Sequence, residues 1–368
     1  MTGSSLSENP AHGRRAEAPA PGRGEQASIA VWLLICCAMI FVMVVLGGVT
    51  RLTESGLSMV DWRPVMGALP PLSEADWRHV FERYKSSPEF RTANFWMTLA
   101  DFKGIFWFEY LHRVWGRAIG IVFAAPFAYF LWRRRIDRRL GIRLAIGFVL
   151  GALQAVLGWV MVQSGLVERP DVSHYRLAAH LGLAIVIYGY LLWIALDLLT
   201  ARHRDAVAPG LRRGAQAVCA WAFFTAITGA FVAGLDAGQV YNTFPLMDGG
   251  VVPDAMFDLE PWIINFVENP AAVQFVHRVV AILLVVAVLA LWSRTRRASA
   301  RARRIGAWLA AAALAQAGLG IATLLGGVVI WLAATHQAGA MVVLTLALWL
   351  VHACRAERAP SGFGPKPG

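Results

Sequence analysis

Cysteine is scarce in this chain. Only Cys36, Cys37, Cys219 and Cys354 occur in 368 residues, and no Cys-x-x-Cys pair exists. Three of the four lie inside apolar runs and the last near the C-terminus. That placement excludes a disulfide framework and a cysteine metal site. The four read as small buried hydrophobes. Charge is scarce too: 15% of residues are charged and 57% hydrophobic, against about a quarter charged in a soluble domain.

Lys and Arg are missing altogether from 236–269, which carries Asp236, Asp248, Asp254, Asp258, Glu260 and Glu268. The arginines gather instead in short connections: Arg133, Arg134, Arg135, Arg138 and Arg139; Arg202, Arg204, Arg212 and Arg213; and Arg294 through Arg304. Alternation of this kind marks cytoplasmic connections of a membrane protein. The net charge of +11 therefore reports topology and excludes a nucleic-acid partner.

What the chain has in abundance is apolar runs of about 20 residues, enough to cross the hydrocarbon core as helices. They predict an all-α polytopic membrane protein with eight transmembrane helices, at 29–50, 106–132, 144–163, 174–200, 214–235, 270–293, 305–327 and 329–352. An even count puts both termini on the cytoplasmic side. Residues 1–28, rich in Pro, Gly, Ala, Ser, Glu and Arg, read as a disordered cytoplasmic tail. Residues 356–368 read as a second tail. The first apolar run exceeds a signal h-region, and no long Arg/Ser-rich presequence precedes it. A bacterial inner (plasma) membrane is the expected location.

The first outer connection, about 51–105, holds "SEADWRHVFERYKSS" at 73–87. Trp77, Val80, Phe81 and Tyr84 fall on one helical face, and Ser73 with Asp76 forms a capping-box pattern. Such a helix lies either on the membrane surface or on the protein's own core. Seven Lys or Arg in this loop run against the topology rule.

The chain also repeats itself. "EYLHRVWGRAIGIVFA" at 109–124 answers "QFVHRVVAILLVVAVL" at 274–289. "LQAVLGWVMVQSGL" at 153–166 answers "AQAGLGIATLLGGV" at 315–328, and "RLAAHLGLA" at 176–184 answers "LAATHQAGA" at 332–340. "GGVTRLTESG" at 47–56 faintly answers "GAFVAGLDAG" at 229–238. Two tandem four-helix bundles follow, 29–200 and 201–355, related by a pseudo-two-fold axis along the membrane normal.

Each half keeps one histidine in its second helix and one in its fourth: His112 and His180, then His277 and His336. All four fall at one depth, roughly 10 Å below the outer surface at 1.5 Å per residue. Two imidazoles facing each other within a bundle suit a bis-histidine haem. Zinc ranks behind it, because zinc usually adds Cys, Asp or Glu ligands or a third His. Gly116, Gly182 and Gly339 near these histidines would let a flat ring approach the backbone, or serve helix packing. Arg113 and Arg278 follow the second-helix histidines and are positioned to clamp a propionate or to snorkel to headgroups.

The halves differ at one place. Glu109 stands three residues before His112, on the same helix face; its counterpart is Gln274. A carboxylate beside a redox centre can donate and accept protons. Alternatively it forms a structural pair with Arg113 at i+4. The difference reads as a reaction chamber in the first half and an electron relay in the second.

"EYLHR", "RLAAHLGLA", "FVHR", "ATHQAGA" and the block "GGVTRLTESGLSMVDWRPVMGALPPL" at 47–72 resemble the haem A synthase family, in its proteobacterial and mitochondrial branch. The resemblance covers about 29–355. It implies an eight-helix, two-half oxidoreductase that oxidises the C8 methyl of haem O to a formyl group, by two successive hydroxylations and loss of water from the gem-diol. Molecular oxygen or water would be the oxygen source. His112 and His180 would flank haem O, Glu109 would be the carboxylate implicated in the chemistry, and His277 and His336 would ligate haem b. Either His112 or His180 leaves the substrate iron during turnover, or the oxidation is outer-sphere. The implied partners are haem O synthase (the farnesyltransferase), cytochrome oxidase assembly machinery and an unidentified electron donor, with a homo-oligomer left open. The Gram-positive branch carries an outer-loop cysteine pair that this chain lacks, so no thiol relay is implied. Two rivals stand beside this reading: a di-haem b-type electron-transfer subunit and a parallel-repeat transporter.

Overall fold

The computed structural model describes residues 23–60, 69–165, 172–200 and 208–355. Most of the N-terminal tail, the C-terminal tail, Arg202, Arg204 and positions 61–68 of the quoted outer-loop block lie outside the described residues. Among those described, eight helices are long and apolar enough to cross a membrane. They are α1 (Arg23–Leu52), α4 (Leu99–Trp132), α5 (Arg138–Gly165), α6 (His174–Leu199), α7 (Pro209–Gly234), α9 (Pro270–Thr295), α10 (Ala300–Leu325) and α11 (Ile330–Ala353). Short helices α2 (Glu74–Lys85) and α3 (Pro88–Thr92) precede α4, and α8 (Asn265–Glu268) precedes α9. α5 turns Ile142, Ile146, Phe148, Val149, Leu153 and Val156 outward, a surface that suits contact with lipid.

Five helices, α1, α4, α5, α7 and α10, start five or more residues earlier than hydropathy predicts, and in two of them the cause is local. α1 begins at Arg23, so 23–28 is helical; Glu25 sits in its first turn, where the helix dipole favours an acid, and pairs with Arg135 at 3.3 Å. α4 begins at Leu99 because Thr98 and Asp101 cap each other's backbone amides, a local signal independent of apolarity. Pro126 interrupts α4 and deprives the Val122 carbonyl of its i+4 donor. The Trp32 indole of α1 donates to that carbonyl at 2.8 Å, so the break becomes an inter-helix contact.

α1 packs against α4 and α6, and α5 against α6 and α4. α7 packs against α9 and α11, and α10 against α9 and α11. The two groups meet where α6 touches α7 and where α11 touches α1 and α6. Gln337 on α11 donates to the Val44 carbonyl of α1 at 2.9 Å. It fits because Gly48 has no side chain: a Cβ there would lie 1.7 Å from the Gln337 Oε1. Nearby, Arg51 pairs with Asp236 at 2.7 Å. At the opposite end, Asp197 of α6 accepts from Arg143 at 2.9 Å, Arg355 at 2.8 Å and His352 at 3.1 Å, tying α5, α6 and α11 together.

α2 lies on the protein's own core. Trp77, Phe81 and Tyr84 form a buried aromatic cluster with Phe102 and Phe106 of α4, and the Ser73–Asp76 capping box is present. The Ser73 hydroxyl and amide hold the Asp76 carboxyl below its usual range. The Tyr84 hydroxyl donates to Glu89 at 2.9 Å and accepts from Asn94 at 2.8 Å. Burial, reinforced by the Glu89 charge, pushes the Tyr84 phenol well above its usual value.

Candidate functional site

The four histidines are set in one way. Each ring from one helix lies against a glycine of a neighbouring helix. A Cβ on Gly47 of α1 would come 3.0 Å from the His112 Cε1, and one on Gly158 of α5 would come 3.0 Å from that of His180. A Cβ on Gly229 of α7 would stand 3.1 Å from the His277 Cε1, and one on Gly320 of α10 only 2.8 Å from that of His336. Carbon atoms normally stay about 3.5–4.0 Å apart, so all four positions need glycine. The rings keep part of their surface accessible, although the nearest elements are packed helices.

The ring nitrogens are treated differently in the two halves. The His277 Nδ1 lies 2.9 Å from the Thr228 hydroxyl, and the His336 Nδ1 lies 3.1 Å from the Gln316 amide nitrogen. The Nδ1 atoms of His112 and His180 are buried with no partner among the described residues. Gln154 occupies the position of Gln316 but donates only to the His180 carbonyl, at 3.0 Å.

Glu109 is buried at 3% exposure and well supplied with donors. It accepts from the Ser58 hydroxyl at 2.7 Å, the Met59 amide at 2.7 Å and the Arg113 Nε at 2.9 Å, and also pairs with an Arg113 terminal nitrogen. Arg113 donates in turn to the Met59 carbonyl at 2.9 Å. The desolvation cost of a buried carboxylate is thereby offset. In the second half, Gln274 donates to the Tyr241 carbonyl at 3.1 Å. Arg278 donates to Tyr241 and Thr243 carbonyls at 2.8 Å each. Both pairs pin the loop that follows the first helix of their half. The Arg278 Nε is left buried without a partner among the described residues.

Gly116, Gly182 and Gly339 serve packing between helices. A Cβ on each would meet Met43, Ile227 or Gln316 respectively. The glycines that cradle the rings are others, and Thr228, Ser58 and Met59 were also not singled out by the sequence. A signal existed: Gly47 and Gly229 share a position in one repeated block, and Gly158 and Gly320 in another.

Imidazoles notched into glycines, two in each helix group and each with one ring nitrogen to offer, fit the two axial positions of haem iron. At His277 the hydrogen-bonded Nδ1 leaves Nε2 as that nitrogen. The molecule is thus an integral helical membrane protein with two half-buried, glycine-notched histidines in each helix group. The chain belongs to the cytochrome oxidase assembly protein family (COX15-CtaA), whose profile matches residues 30–348. It is 50% identical over 359 residues to the "Heme A synthase" of Rhodospirillum centenum, covering 97% of this chain and 95% of that one. Identity to the "Heme A synthase" of Nitrosospira multiformis is 49% over 337 residues, 90% of this chain and 95% of the relative. The human "Heme A synthase COX15" is 44% identical over 364 residues, 96% of this chain and 88% of its own length.

Proposed function

We infer that this chain converts haem O to haem A. The observation that carries the reading is identity of 44–50% across nearly the whole chain to bacterial and human proteins of that activity. The two histidine pairs supply what a porphyrin substrate and a haem cofactor need.

In this reading, 29–200 is the substrate half and 201–355 the haem b half, two tandem bundles about an axis along the membrane normal. The matched packing within each helix group and the four matched glycine notches support that symmetry. His112 and His180 hold haem O; His277 and His336 hold haem b. When bound, haem b supplies one-electron transfer. The protein's part is to fix both rings, keep bulk water out with apolar helices, and hold a charge-balanced carboxylate beside the substrate half. Arg278, with an unused Nε, is the better propionate contact of the two arginines; Arg113 is already committed to Glu109 and Met59. The arginine clusters support a cytoplasmic placement for both termini and an outward placement for the haem sites, in a bacterial inner membrane. The oxygen source is molecular oxygen or water. Haem O synthase, oxidase assembly proteins and an electron donor are the partners.

Glu109 has two readings. As a proton-handling carboxylate it explains why only the first half has an acid here. As an anchor it explains the bonds to Ser58 and Met59, which fasten the outer loop over His112.

The deciding experiment co-expresses the chain with a source of haem O and extracts the pigments. A pyridine haemochrome and a mass corresponding to haem A are expected. Haem b and unconverted haem O alone would favour the di-haem electron-transfer reading; no haem at all would favour a transporter.

A further inference from the structure

Thr228 and Leu46 occupy matching positions, each one residue before the glycine under a histidine ring, on α7 and α1 respectively. The Thr228 Oγ1 donates to the Thr225 carbonyl at 2.8 Å, a bond to the preceding turn that commits its only proton. Towards His277, 2.9 Å away, the same oxygen can therefore only accept. The proton must sit on the His277 Nδ1, which fixes the tautomer and leaves the Nε2 lone pair for a metal. Leu46 has no acceptor to offer, and the His112 Nδ1 is buried without a partner among the described residues. The fourth-helix pair does not extend this contrast: the Gln316 amide nitrogen, 3.1 Å from the His336 Nδ1, is a donor and cannot accept a proton from it, and the His180 Nδ1 is unpartnered among the described residues.

A hydrogen bond from Nδ1 orients a ligating imidazole and makes its other nitrogen more basic. We propose that Thr228 is a positioning residue that makes His277 a strong, permanently engaged iron ligand. Its replacement by Leu46 makes His112 a weak ligand that can release a porphyrin. The proposal rests on the haem assignments above and adds a reason for the division of labour. The half that keeps its cofactor has a buttressed imidazole at His277; the half that must take up a substrate haem and discharge a product haem has none.

The test uses the full chain, purified with its haem, and three variants. Thr228→Val keeps the side-chain shape and removes the acceptor. Haem b should then pass to apomyoglobin about 10–100-fold faster, the range seen when an outer-shell partner is lost. The haem b midpoint potential should rise, because a less basic ligand stabilises the ferric iron less. Thr228→Ser restores the oxygen and should return both values to wild type. Leu46→Thr tests the idea in the other half: haem release from the N-terminal site should slow, with the haem b potential unchanged. Wild-type release rate and potential in Thr228→Val, or unchanged release in Leu46→Thr, would overturn the proposal. His277→Ala separates this from the underlying assignment: if haem b absorbance survives that change, it is the ligand assignment that has failed.

Discussion

Replacing Gly320 with alanine adds one methyl group where the fold has no room for it. The new carbon would stand 2.8 Å from the His336 Cε1, 3.4 Å from Nδ1 and 3.6 Å from Nε2. Against a carbon contact of about 3.5–4.0 Å, the ring or α10 must move by roughly 0.7 Å. Overpacking of this kind typically costs about 1–3 kcal/mol. If the strain falls on the ligated geometry, haem b affinity drops by about 5- to 150-fold, at tenfold per 1.4 kcal/mol. The assay is haem b content per chain by pyridine haemochrome, together with the rate of transfer to apomyoglobin. Gly318→Ala is the control. It lies in the same helix, a Cβ there meets nothing within 4 Å, and alanine gains up to about 1 kcal/mol of helix propensity. It should retain haem b as wild type does. Equal haem retention in both variants would refute the claim that the glycine notch sets the ring.

Glu109→Gln should leave both haems bound while formyl production falls at least about 100-fold, as when a proton-transfer group is lost; retained turnover would assign Glu109 to loop anchoring alone. His277→Ala should strip the haem b absorbance, and an unchanged reduced-minus-oxidised spectrum would remove His277 from the ligand set. Tyr84→Phe deletes the donor to Glu89 and the acceptor for Asn94 and should cost the α2–α4 cluster about 1–3 kcal/mol. Faster limited proteolysis within 73–98 is the readout; wild-type protection would count against it. Asp236→Ala should change thermal stability by less than about 1 kcal/mol, because its pair with Arg51 is largely solvent-exposed on the Asp236 side (54% exposure) and such pairs contribute little. A larger fall in Tm would show that this ion pair holds the two halves together.

The sequence displayed the membrane spans and the histidines because both signals are local. Apolar length marks a span, and a lone imidazole in hydrocarbon is conspicuous. The capping pairs Ser73–Asp76 and Thr98–Asp101 are local as well, but the second lies ahead of the apolar edge of α4, so apolar length alone starts that helix too late. The ring notches, the Thr228–His277 bond and the grip of Ser58 and Met59 on Glu109 join residues on different helices or 50 positions apart. No periodicity within one segment carries that information. Gly47, Gly158, Gly229 and Gly320 were nonetheless within reach through the repeat, because duplicated positions that stay glycine in both copies invite the question of what presses against them. Gly116, Gly182 and Gly339, chosen for nearness to histidines in the chain, turned out to face other side chains.

Gln337 in its slot at Gly48 has a consequence for how such a chain can vary. The amide head occupies the space of a missing side chain on the opposite half, so the two positions are not independent. Any methyl or larger group at 48 requires something shorter than glutamine at 337, and a shortened 337 leaves a hollow between α1 and α11. Alanine at 48 alone should therefore be poorly tolerated, while the double change with Ala at 337 should recover part of the loss. At this contact α1 and α11 fit each other as lock and key, and neither side can change alone.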